Sequence, residues 1–87
     1  MAIRFMGEHD VDVPLWDDDG LMFATREELL NTFGPLGLSP GLAKDVVACA
    51  QDWQTHSGEP EHDARAARLV RQLRGELGHG VAVVYYP

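Results

Sequence analysis

The alternation of apolar and polar residues along this chain predicts most of its elements. Ile3 and Phe5 flank Arg4, the period-two spacing of a strand with one buried face. Val11, Val13 and Leu15 alternate with Asp12 and Pro14, and Trp16 follows, which predicts a second strand. Pro14 has no N–H to give to a ladder, so this strand is expected at an edge or irregular. Asp17-Asp18-Asp19-Gly20 is a turn sequence, and the short apolar run Leu21 to Ala24 returns from it as a third strand.

The period then changes. Thr25 and Glu28 have the spacing of a capping box, and Leu29, Leu30 and Phe33 follow before Gly34-Pro35 ends a short helix. Ser39 can cap a second helix with Pro40 at its first position, where the missing N–H costs nothing. That helix is predicted over about residues 40–55, with Leu42, Val46, Cys49, Ala50 and Trp53 on its core stripe. After the loop Ser57-Gly58-Glu59-Pro60, a third helix is predicted over residues 61–77. Ala66, Leu69, Val70, Leu73 and Leu77 share one face of it, and Gly78 stops it. Val81 to Tyr86 is β-branched, then aromatic, without alternation, which predicts a strand covered on both faces or central in its sheet.

The order β-β-β-α-α-α-β predicts an α+β domain. Its small mixed sheet is made of the N-terminal strands plus the C-terminal strand, packed by two to three helices in two layers. The last strand is expected parallel to its neighbour, through a right-handed crossover.

Length bounds what such a domain can hold. The 87 residues make one domain, 1–87. A chain of that size buries only about 60–65% of the surface its unfolded form exposes, which leaves no room for a cofactor as large as a dinucleotide. The apolar share of 45% and charged share of 24% are those of a folded globule rather than a disordered chain. Cys49 is the one cysteine, so neither an internal disulfide nor a thiolate zinc site is expected, and its place on the core stripe makes it a small buried hydrophobe. The start Met1 to Met6 is too quickly charged for a signal peptide, and Val81 to Tyr86 is too short to span a bilayer. A cytoplasmic location with no membrane contact is expected.

Charge narrows the partners. Residues 1–63 hold Arg4, Arg26 and Lys44 against thirteen carboxylates, a net of -10. Residues 64–87 hold Arg65, Arg68, Arg71 and Arg74 against Glu76, a net of +3. The four arginines step around the solvent side of the third helix. An acidic front repels phosphates, which excludes nucleic acid as the expected partner, and attracts a basic protein surface or a divalent cation.

Candidate chemistry is sparse. The densest polar cluster is Glu8, His9, Asp10, Asp12, Asp17, Asp18 and Asp19. As a metal site it would supply oxygen ligands suited to calcium or magnesium, with His9, Asp10 and Asp12 as the first candidates. The calcium-loop pattern fails, because counting from Asp17 puts Met22 where the sixth-position glycine belongs. His9, His56, His62 and His79 are scattered and read as ordinary exposed histidines. His56 and His62 flank one loop and can approach each other there, without an evident third ligand. Neither serine sits in a nucleophile elbow, no P-loop is present, and no cofactor motif appears. Trp53 reads as core. Trp16, beside three aspartates, reads as a protein-binding anchor or as the capped end of the sheet. Tyr85-Tyr86-Pro87 offers a self-association surface, and with it a homodimer.

The combination Asp12-Val13-Pro14-Leu15-Trp16, then Gly37-Leu38-Ser39 before the helix carrying Trp53, then Glu76-Leu77-Gly78 before a valine-rich strand ending in Tyr86, resembles a group of small hypothetical bacterial proteins from GC-rich genomes. The resemblance implies no activity and no site residue.

The leading expectation is a non-catalytic interaction module of the inhibitor, immunity or antitoxin type. It would bind a basic protein through Asp10, Asp12, Trp16, Asp17, Asp18 and Asp19. The alternative expectation is a divalent-metal or small-ligand domain using the same acidic cluster.

Overall fold

The computed structural model describes residues 1–87 and places four strands and three α-helices in the order β1 (Ala2–Met6), β2 (Leu15–Asp17), β3 (Gly20–Leu21), α1 (Arg26–Phe33), α2 (Pro40–His56), α3 (Pro60–Leu77) and β4 (Ala82–Tyr86). The sheet order is β3-β2-β1-β4. β1 pairs antiparallel with β2 and parallel with β4, so the sheet is mixed and the fold is α+β, as expected.

The core lies on one side of that sheet. Ile3, Phe5, Leu15 and Val83 point inward from the strands and pack with Leu29 and Phe33 of α1, Leu42, Val46 and Cys49 of α2, and Leu69, Val70 and Leu73 of α3. Burial of each such side chain stabilises the fold by about 1.5–3 kcal/mol before chain entropy is counted.

Local signals start and stop the helices where the residues indicate. Thr25 Oγ1 accepts from the Glu28 N–H, and the Glu28 carboxylate accepts in return from the Ala24 N–H. Ser39 Oγ accepts from the Leu42 N–H, and α3 ends at Gly78 with φ +78°. Glu76 adds a long-range tie, since its carboxylate accepts from both the N–H and the hydroxyl of Ser39. Gly37 sits beside it at φ +114°, where an added Cβ would stand 2.9 Å from the Glu76 carbonyl oxygen.

Four expectations need correction. Val11 to Val13 is not a strand, and β2 begins only at Leu15. Asp10 turns the chain with φ +62°, Val13 and Pro14 are buried, and only the Pro14 carbonyl reaches the sheet, accepting from the Met6 N–H at 2.9 Å just before β2 begins. β3 is only two residues long, because Phe23 leaves the sheet to pack edge-on against Phe33, with ring centroids 5.3 Å apart.

β4 is an edge strand and not a covered one. Val83 faces the core while Ala82, Val84 and Tyr86 face solvent, so its apolar run hides a true alternation. Trp53 is half-buried outside the central core. Gly7 lies flat against its indole, and the His9 ring meets its edge at 5.1 Å.

Candidate functional site

The outer face of the sheet presents exposed apolar side chains to solvent. Its side chains alternate with the buried ones. Arg4 and Met6 come from β1, Trp16 from β2, Leu21 from β3, and Val84 and Tyr86 from β4. The register aligns Leu21, Trp16, Arg4 and Val84 in one row across all four strands. Met6 and Tyr86 form the next row, and Ala2 and Ala82 another. Leu21, Val84 and Tyr86 are 42%, 47% and 46% exposed, an unusual amount for apolar side chains on one face.

Trp16 sits within that face, half-buried, with its indole N–H donating to the Met6 carbonyl at 2.8 Å. The bond fixes the ring's polar edge and leaves a rigid aromatic surface beside Arg4.

The acidic hairpin forms one rim. Asp17 Oδ1 accepts from the Asp19 N–H at 2.8 Å and so shapes the turn, with Gly20 at φ +114° closing it. Arg4 reaches towards the tip, donating to the Asp17 carbonyl at 2.9 Å and lying 3.8 Å from the Asp18 carboxylate. The Asp18 side chain is fully exposed, so this ion pair contributes little stability. Asp17, Asp18, Asp19 and Trp16 are thus brought together. Asp10 and Asp12 are exposed on the separate loop that joins β1 to β2. His9, Asp10 and Asp12 do not converge, and no three His, Cys, Asp or Glu side chains are grouped to hold a metal ion.

A second polar cluster lies at the junction of α2 and α3. His62 is buried, against the expectation of an exposed histidine, and its Nδ1 lies 2.9 Å from Asp52 Oδ2. His56 lies against the Glu59 carboxylate through Nδ1 and places Nε2 3.8 Å from Asp52 Oδ1. With Arg65 and Arg68 these residues line an open cleft of about 620 Å³. The bond from His62 holds the Asp52 carboxyl below its ordinary value, and the charges of His56, His62 and Arg65 act in the same direction against partial desolvation. Burial pushes the neighbouring Cys49 thiol up, which keeps it protonated and inert.

This cluster was legible in part. His62 stands four residues before Ala66, in line with Leu69, Val70, Leu73 and Leu77, so the core stripe of α3 begins one turn earlier than its apolar residues indicate. Its partner Asp52 carries no sequence signal, because the pairing depends on how α2 and α3 pack.

No protein-family model matches the chain, and no curated protein matches it in sequence. No helix is long and apolar enough to cross a membrane.

Proposed function

We propose that this protein is a non-catalytic interaction module that binds a basic protein on the outer face of its sheet. The observation that carries the reading is the uncovered row Leu21, Trp16, Arg4 and Val84, in which Arg4 is the one charged side chain and turns towards the Asp17-Asp18-Asp19 turn at the rim. Exposed apolar and aromatic side chains with an arginine among them, bounded by charge, are a usual composition of a docking face. Trp16 is the anchor, and a pre-ordered aromatic loses little entropy on binding. The aspartates of the hairpin choose the partner's sign. They speed encounter and set specificity more than they add affinity.

Affinity capture tests this reading. The tagged chain is compared with Trp16→Ala and with a variant carrying Asp17, Asp18 and Asp19 all changed to lysine, at low and high salt. The captured proteins are identified by mass spectrometry, and the strongest is purified and rebound. A basic protein that binds the parent chain, leaves at high salt and is missed by both variants is the expected result. Equal capture by all three chains contradicts the proposal.

A further inference from the structure

The opposite edge of the sheet has its own chemistry. β4 pairs with β1 on one side and has no strand on the other. The Ala82 N–H donates to the Met1 carbonyl, and in a parallel ladder alternate residues point to the same neighbour. Ala82, Val84 and Tyr86 therefore bond towards β1, while the backbone groups of Val83 and Tyr85 turn to the open side. One of these groups is occupied. Arg74, one turn from the end of α3, donates from Nε to the Val83 carbonyl at 2.7 Å.

A groove of about 610 Å³ runs beside this edge. Its apolar lining includes Val81, Val83 and Val84, Arg74 is its only charged lining residue, and no carboxylate lines it. Glu76, the nearest acid in sequence, is turned away to Ser39. In a chain of net charge -7, the Val81–Val84 end of the β4 edge is a local basic site, while the nearby Asp63 carboxylate is engaged by the Tyr85 hydroxyl.

We infer that the β4 edge is a strand-addition site for an extended acidic segment of a partner protein, with Arg74 as the positioning residue. In the free chain Arg74 covers the acceptor that an incoming N–H would take, a charged guard of the kind that keeps edge strands from self-pairing. An arriving strand takes the Val83 carbonyl and supplies a carboxylate to the released guanidinium. Its backbone bonds give affinity, and its charge gives selectivity. A second copy is the wrong occupant, because β4 carries no carboxylate to meet the released Arg74 guanidinium. The site is on the far edge from the acidic hairpin and does not depend on the role proposed for that hairpin.

The test is an amide spectrum of the ¹⁵N-labelled full chain titrated with a blocked peptide of alternating valine and glutamate, and with its valine–lysine counterpart. The expected result is saturable shifts at the Val83 and Tyr85 amides, with the glutamate peptide bound about tenfold more tightly than the lysine one. Arg74→Ala should abolish that preference, and Arg74→Lys should restore most of it. Dispersed spectra establish that both variants fold. The inference is overturned if those two amides do not respond to millimolar glutamate peptide, or if the lysine peptide binds as well. Concentration-dependent shifts at the same amides without peptide would also overturn it, by showing that the edge takes a second copy.

Discussion

Asp52 Oδ2 and His62 Nδ1 lie 2.9 Å apart and tie α2 to α3 at their shared loop. A buried imidazole is costly unless a partner holds it, and here the carboxylate accepts its N–H and fixes which ring nitrogen carries the proton. Loss of the ring in His62→Ala should destabilise the fold by about 2–3 kcal/mol, measured by urea unfolding.

The same pair sets an acid response. The Asp52 carboxyl titrates below its ordinary 3.8, first because of the bond to His62. A depressed carboxyl adds stability that is fully present above the unfolded value and is lost as pH falls through the folded one. Thermal melts of the parent chain should therefore lose part of their stability below about pH 4, and Asp52→Asn should flatten that acid limb. An unchanged limb would mean that the pair carries no linkage.

Tyr85 gives the alkaline counterpart. Its hydroxyl donates to Asp63 Oδ1 at 2.7 Å, and burial, then this carboxylate, raises its pKa well above the ordinary 10.0. The stability it adds is present below about pH 10 and is lost as pH rises through the folded value. Tyrosinate absorbance should show a late arm that Tyr85→Phe removes, with a loss of about 1 kcal/mol at neutral pH.

Two glycines are tests of close packing. Gly37→Ala meets both a positive φ and the Glu76 carbonyl, so it should cost more than about 1 kcal/mol in chemical denaturation. Glu76→Ala removes both bonds to Ser39 and should cost about 1–2 kcal/mol by the same measurement. An added Cβ at Gly7 would lie 2.4 Å from the Trp53 ring, so Gly7→Ala should displace the indole and change its near-UV circular dichroism.

The elements that local chemistry specifies were legible in the residues. The Thr25 and Ser39 caps, the Gly78 stop and the α3 stripe each depend on neighbours within four or five positions, and all four are present. The parallel return of β4 beside β1 followed from its place after the helices. What was not legible depends on distant contacts. Val84 and Tyr86 are as apolar as a buried strand, so sequence alone could not tell an exposed outer face from a covered one. Asp52 and His62 meet only because α2 and α3 pack. Trp16 and the Asp17–Asp19 turn were visible as a cluster, but the place of Trp16 within an uncovered row, with the turn at its rim, comes from strand register.

The most direct test of the interaction account is the association rate of the rebound basic partner as a function of ionic strength. The parent chain should associate fast at low salt and slow by about tenfold or more as salt rises. The chain with Asp17, Asp18 and Asp19 changed to lysine should be slow throughout, and Trp16→Ala should act mainly on dissociation. A rate that ignores both salt and the hairpin charges would contradict the account.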